Sequence, residues 1–314
     1  MRFAVIAAVV AASAPVHAGG LARLATEVRV RLDQASAAHA PVRVPPVPVS
    51  VKWRPVRVGS FELGAPLVAL AAANLDDDKA HGELYAITAR EVIAFSVANG
   101  KATELARVAF AGELAVPAPR DVVGAAAIDG DALVASVSGY TRALRVTWKG
   151  GQLIGEPGPI GVPICGKELA KLAPGRNYYL EGGTTPSYAG LCRDVIDREG
   201  VPRHVRATLA ATNKLAVAID GGALREYPAV GVAFEIADVD RDGSPEIIVS
   251  GAGAPGDEDA VKVMTLPDDK PLVRKAFTGG VVGVAAALDG AGPLAVIAAV
   301  RLVGATRVDL WRLD

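Results

Sequence analysis

Aromatic residues are scarce in this chain, at 5% of its 314 positions, although 51% of the positions are hydrophobic. The apolar content is therefore carried mainly by alanine and valine. Valine-rich runs broken by 34 glycines and 21 prolines suit many short strands and turns. Charge of one sign is also lacking. A formal net charge of −1 favours neither a polyanionic nor an acidic partner, and no basic stretch points to nucleic acid. Histidine occurs only 4 times, and no G-x-S-x-G elbow, H-E-x-x-H helix, phosphate-binding loop or dinucleotide fingerprint is present, so the usual enzyme signatures are missing. Of these histidines, His81 and His204 read as exposed turn and strand residues. Only 2 cysteines occur, Cys165 and Cys192, with no C-x-x-C redox pair. Past the N-terminus no run of 18 uninterrupted apolar residues exists, which argues against a membrane-spanning helix.

The first residues read as an export signal. Arg2 supplies a positive start, Phe3 to Ala12 an apolar core, and Val16-His17-Ala18 a small-x-small cleavage site. Residues 1–18 are therefore set apart from the fold, and a secreted or periplasmic protein of the cell envelope is expected. In that setting Cys165 and Cys192 are expected to form one disulfide. Residues 19–48 differ from the remainder. Leu21, Leu24, Val28 and Leu32 fall at helical spacing, and Pro41-Val-Arg-Val-Pro-Pro-Val-Pro-Val49 follows as a linker leading into an edge strand near Val49 to Val58.

From about residue 59 the chain repeats itself. Asp238-Val-Asp240-Arg-Asp242-Gly-Ser-Pro-Glu246 precedes the strand-like run Ile247-Ile248-Val249, and Asn74, Asp76, Asp78 and Glu83 follow the same pattern with one inserted residue. Emptied copies lie at Asp129-Gly-Asp131 and Asp289-Gly, and a doubtful one at Asp197. The intervals between Asp76, Asp129, Asp240 and Asp289 are 53, 111 and 49 residues. The middle one is about twice the others, so a degenerate unit is expected around residues 175–230. Each unit ends in a further apolar strand: Val92 to Val97, Leu144 to Trp148, Ala260 to Met264 and Arg307 to Leu313. Units of about 50 residues with three or four strands have the size of a propeller blade.

These units resemble the FG-GAP/VCBS repeats of integrin-alpha-type β-propellers. The resemblance rests on Asp238-x-Asp240-x-Asp242-Gly243-x-x-Glu246 with its following strand, and on the variant Asn74-x-Asp76-x-Asp78 with Gly82-Glu83-Leu84. It implies an all-β fold over residues 49–314: a propeller of about five four-stranded blades, with six or seven as alternatives. It also implies Ca2+ in the acidic loops. Asp238, Asp240, Asp242 and Glu246 would donate side-chain oxygens and Ser244 its carbonyl; Asn74, Asp76, Asp78 and Glu83 would form a second site. A glutamate stands where the family has a ninth-position aspartate, which keeps an oxygen donor with longer reach. An EF-hand is excluded because its twelfth position, which needs a bidentate acid, is Val249, and because Pro245 interrupts the loop. A quinoprotein-type propeller matches only loosely, around Val92 to Lys101.

A ring of blades needs its ends tied. A strand from residues 49–63 is therefore expected to complete the last blade beside Arg307 to Leu313. The function expected is non-enzymatic: a monomeric, Ca2+-stabilised scaffold that contacts a protein or a glycan through its loop face. The alternative is a secreted hydrolase or lyase with its site in the central channel. The sequence offers no cluster of acids, histidines or arginines for such a site.

Overall fold

The structure is a computed structural model. It describes residues 28–29, 44–76, 82–98, 100–111, 124–137, 139–165, 168–170, 189–210, 212–252, 258–266, 268–287, 295–302 and 306–313, with backbone alone at 162–165, 168–170, 189 and 287. The chain divides into two units, Met1–Val44 and Pro45–Asp314. Of the first, Val28 and Arg29 are helical, within the expected amphipathic stretch. Among the described residues no helix is long and apolar enough to cross a membrane.

The second unit is a five-bladed β-propeller. Its first strand, β1 (Pro55–Glu62), belongs to the last blade. Blade 1 holds β2 (Leu67–Ala73), β3 (Glu83–Thr88), β4 (Glu91–Ala98) and β5 (Lys101–Ala109). Blade 2 holds β6 (Gly124–Asp129), β7 (Ala132–Val137), β8 (Leu144–Lys149) and β9 (Gln152–Pro157). A two-stranded hairpin follows, β10 (Val162–Cys165) with β11 (Glu168–Ala170). Blade 3 holds β12 (Ala189–Ile196), β13 (Pro202–Leu209), β14 (Leu215–Ile219) and β15 (Arg225–Tyr227), which places the degenerate unit where the doubled interval left room. Blade 4 holds β16 (Val230–Ala237), β17 (Glu246–Gly251), β18 (Asp259–Thr265) and β19 (Pro271–Phe277). Blade 5 holds β20 (Gly280–Ala287), β21 (Ala295–Arg301) and β22 (Arg307–Leu313), and β1 adds its fourth strand antiparallel to β22.

The composition now has a geometric cause. The inner strands β2, β6, β12, β16 and β20 converge on one axis and line a narrow channel, so they need small side chains. A Cβ on Gly124 would fall 2.3 Å from Val68 Cγ2, and one on Gly283 would fall 2.6 Å from Leu70 Cβ. Both distances are impossible for real carbon contacts, so glycine is required by the close approach of neighbouring blades. In blades 1, 2, 4 and 5 the second strand carries an apolar run because a neighbouring blade covers each face. All six residues of β3 and all six of β7 are buried. The alternation expected of a half-wet strand appears in the second strand of blade 3, where Val205, Ala207 and Leu209 are buried and Arg206 and Thr208 between them are half-buried.

Ring closure follows the expected pairing. Residues Pro55 to Glu62 run opposite Leu313 to Arg307, with a bulge between Arg57 and Gly59. The strand starts at Pro55 rather than at Val49, because Trp53 adopts a left-handed φ of 53° that no strand tolerates. Its ring packs instead beside the hydrophobic cluster between blades 4 and 5. Leu310 is 1% exposed and lies in the cluster that joins blades 5 and 1. Leu310→Ala should cost about 2–5 kcal/mol in a denaturant titration, through lost burial and the cavity left behind. Arg57→Ala, which breaks a half-exposed ion pair to Asp309, should cost about 1 kcal/mol or less. Equal costs would mean that closure is not held by packing.

Candidate metal centre

The loop from Asp238 to Pro245 joins β16 to β17, the inner two strands of blade 4. Ala237 pairs with Glu246, so Glu246 opens the second strand and its side chain turns back into the loop. Its Oε2 accepts the Val239 amide at 2.7 Å, which clamps the loop entrance to the strand exit. Asp238 Oδ2 accepts the Gly243 amide at 3.0 Å, Asp240 Oδ1 the Asp242 amide at 3.1 Å, and Asp242 Oδ1 the Ser244 amide at 2.7 Å. The loop thus curls around its own carboxylates. Gly243 makes the turn with a φ of 82°, and a Cβ there would lie 2.4 Å from the Arg198 nitrogen of the neighbouring blade's loop. Only glycine meets both demands.

Asp238, Asp240 and Glu246 bring ligand oxygens within 4.8 Å of one another. Asp238 Oδ1 and Glu246 Oε1 are buried and have no hydrogen-bond partner. Burial pushes the Asp238 carboxyl up to about 6 and Glu246 up to about 8, and the neighbouring carboxylates add to both shifts. Asp240 is raised for the same first reason. Asp242 behaves differently. Burial would raise it, but hydrogen bonds from Ser244 and Arg198 outweigh burial and hold it low. Arg198 donates to Asp242 Oδ2 at 2.6 Å and to the Asp242 carbonyl at 2.7 Å. The three-carboxylate cluster therefore leaves Asp242 on an arginine of blade 3, and the Ser244 hydroxyl faces that same arginine at 3.4 Å.

The second loop shares the clamp but not the vacancy of partners. Glu83 opens β3, and its Oε2 accepts the Leu75 amide at 2.8 Å, the counterpart of the Val239 bond. That oxygen also accepts the Tyr85 hydroxyl at 2.9 Å, and the hydroxyl in turn accepts the Trp148 indole N–H of blade 2 at 2.7 Å. Burial raises the Glu83 carboxyl. Asn74 and Asp76 precede this loop's centre, while Asp78 and His81 lie outside the described residues. At Asp129 the loop collapses to a two-residue turn, because Asp129 pairs directly with Ala132. At Asp197 the carboxylate caps the Glu199 and Val201 amides and pairs with Arg203. Asp289 lies outside the described residues.

The acidic loop borders the mouth of the channel. There the ends of the inner strands surround an open bowl of about 1040 Å³ that includes Ile128, Arg193, Ile196, Glu235, Asp238 and Arg241. Arg193 Nε and Nη2 donate to the two Glu235 oxygens at 2.9 and 3.0 Å, a two-point ion pair tying blade 3 to blade 4. The sequence offers no cluster of acids, histidines or arginines for the channel mouth, and this pair lies there. The available signal was a glutamate inside the apolar run Val232-Ala-Phe-Glu235-Ile-Ala237, whose period places Glu235 on a buried face. The Val49 amide donates to the Asp240 carbonyl at 2.8 Å, so the segment entering the fold also braces this loop.

No family model matches the chain, and no curated protein matches it in sequence. Among solved structures, the chain is similar in fold to a mutant of AofleA from Arthrobotrys oligospora, with 16% identity over 81% of this chain and 70% of that one, and a TM-score of 0.36. The Cps50 (Swd1) β-propeller domain of Myceliophteria thermophila shares 9% identity over 79% of this chain and 83% of that one, with a TM-score of 0.37. BBS1N, solved in complex with ARL6DN, shares 10% over 85% and 98%, with a TM-score of 0.36. No functional statement follows from likenesses of this strength.

The buried carboxyls set a pH dependence for the metal-free protein. In the unfolded chain they titrate near pH 4, whereas in the fold Asp238 and Glu246 titrate at about 6 and about 8. The fold therefore binds these protons more tightly. That contribution is complete below about pH 4 and is lost as pH rises through 6 to 8. Glu83 adds to the loss with the same sign, while the lowered Asp242 titrates below this window. In chelator, the melting temperature should fall between about pH 5 and 8, and Glu246→Gln should flatten that fall. A melting temperature that rises over this range would contradict the account of these carboxyls.

Proposed function

We propose that this protein is an exported, Ca2+-braced binding scaffold of the FG-GAP/VCBS type. In this reading one divalent cation sits on Asp238, Asp240 and Glu246, and the loop face contacts a protein or a glycan. One observation carries it. Asp238 Oδ1 and Glu246 Oε1 are buried without partners, in residues that converge with a third carboxylate. Buried acceptors left unpaired are costly, and clustered carboxylates repel unless a cation neutralises them. The donor set is all hard oxygen, which suits Ca2+. In this reading the Ser244 carbonyl and Asp242, which Arg198 now holds, would be further donors. Glu83 already holds the Tyr85 hydroxyl, so Asn74, Asp76, Asp78 and Glu83 form the weaker of the two sites.

The ion's role in this reading is structural. It fixes a loop at the rim of the mouth, where Ile128 and Ile196 supply apolar surface and Arg241 and Asp238 supply charge. We favour binding over a hydrolase or lyase in the channel because Arg193 and Glu235 saturate each other and neither is left to act on a substrate. Export through residues 1–18 and a Cys165–Cys192 disulfide complete the proposal. The side chain of Cys165 lies outside the described residues, and Cys192 carries no free thiol.

Titration calorimetry on protein stripped with chelator tests the centre. Ca2+ should bind with one dominant heat, and at a hundredfold excess over Kd it should add about 2.7 kcal/mol of stability. Glu246→Gln and Asp238→Asn should each abolish most of that gain while leaving the circular dichroism spectrum intact. No heat and no change in melting temperature on adding Ca2+ to stripped wild-type protein would sink the proposal.

A further inference from the structure

Blades 2 and 3 meet differently from the other neighbours. The described hydrophobic clusters fill the seams between blades 1 and 2, 3 and 4, 4 and 5, and 5 and 1. Between β6 and β12 the hairpin β10–β11 is inserted instead. Cys165 ends β10 and Cys192 lies in β12, so the two cysteines sit on the two elements that close this seam.

The surroundings of Cys192 are chemically specific. Antiparallel register sets Cys192 opposite Arg206 and Asp194 opposite His204. Residues two apart on a strand share a face, so all four side chains stand on the same side of blade 3. His204 Nδ1 lies 2.7 Å from Asp194 Oδ1, and its Nε2 lies 3.3 Å from Cys192 Sγ. Asp220 Oδ1 accepts the His204 amide at 2.8 Å and its Oδ2 takes Arg203 at 3.2 Å, which fixes the strand beneath the imidazole. The charged residues on this face of β12 and β13 are thus Asp194, His204 and Arg206. The side chains of β10, the other element packed there, lie outside the described residues.

A carboxylate on Nδ1 keeps the ring proton on that side and leaves Nε2 to take a proton from a thiol. The product is an imidazolium beside a thiolate, with Arg206 as the residue paired with Cys192 across the two strands. Cations of this kind stabilise thiolates and make good leaving groups of them. We infer that Cys192 is a thiolate-stabilised leaving group, and that its bond to Cys165 is a reducible latch across the seam between blades 2 and 3. The inference rests on the Cys165–Cys192 pairing proposed above.

The reaction is thiol–disulfide exchange with a low-molecular-weight thiol. The incoming thiolate attacks Cys165 Sγ and forms a mixed disulfide there. The Cys165–Cys192 bond breaks, and its electron pair leaves on Cys192 Sγ beside His204. A second thiolate attacks the sulfur of the first small thiol, releasing Cys165 as a thiolate that picks up a proton from water. Two small thiols are oxidised to one disulfide, and the two protein sulfurs are reduced.

Peptide mass spectrometry of the full chain reads both steps. Non-reduced native protein should yield the Cys165–Cys192 linked peptide. After reduction, iodoacetamide labelling of native protein against pH should give Cys192 a midpoint at least one unit below the free-cysteine value of about 8.5. His204→Asn should return that midpoint to about 8.5 and slow reduction of the bond by glutathione roughly tenfold, as expected of a poorer leaving group. Asp194→Asn, which leaves the imidazole in place, should fall between. Two free cysteines in the native protein would overturn the latch through its pairing. A wild-type midpoint near 8.5, or one that neither variant moves, would overturn it through its chemistry, whether or not the bond is present and whatever the Ca2+ titration shows.

Discussion

The pairing of β1 with β22 is the constraint on which the rest depends. The second strands of blades 1, 2, 4 and 5 are covered on both faces only because a neighbour stands on either side, and the last blade has both neighbours only if the ring closes. The N-terminal strand supplies that closure from more than 240 residues away in sequence, through the register that sets Arg57 near Asp309. Closure is therefore non-local, and its entropy cost is met late by burial rather than early by local turns. Phe61 against Phe95 and Leu310 beneath them show where that burial is concentrated.

Within the blades a smaller device recurs. A glutamate at the first position of the second strand accepts the amide just past the end of the first, in blade 1 through Glu83 and Leu75 and in blade 4 through Glu246 and Val239. The clamp fixes the geometry of an acidic loop whether or not a cation is present. Blade 2 has Ala132 at this position, and its loop is only a two-residue turn. In this blade loop length and the clamping acid are lost together.

Much of this was legible in the sequence because it is written in local pattern. The unit length, the third strands ending at Val97, Trp148, Met264 and Leu313, the degenerate unit in the doubled interval and the closing strand all follow from spacing and apolar runs. What was not legible depends on neighbours in space. Arg198 on Asp242 couples loops 44 residues apart, and Arg193 on Glu235 couples two inner strands. The early start assigned to the closing strand failed on one backbone angle, at Trp53, that no side-chain pattern announces. The pairing of Cys192 with His204 and Asp194 needs the register of β12 against β13, and a blade as degenerate as the third hides that register.

The two acidic loops show how one clamp can serve two ends. In blade 1 the residue two positions after the glutamate is Tyr85, whose hydroxyl donates to Glu83 and accepts from Trp148 of blade 2. The buried carboxylate is thereby built into a hydrogen-bonded chain that ties two blades together. In blade 4 the same position is Ile248, fully buried and without a donor, and Glu246 Oε1 is left unpaired. The tyrosine thus gives the clamping oxygen of Glu83 a second donor that the clamping oxygen of Glu246 lacks. The other Glu246 oxygen, buried and unpaired, is left to a proton or to the cation proposed above. In the reading proposed above, one divalent ion would offset two of the three negative charges of Asp238, Asp240 and Glu246 at once, whereas protons would have to bind them one at a time.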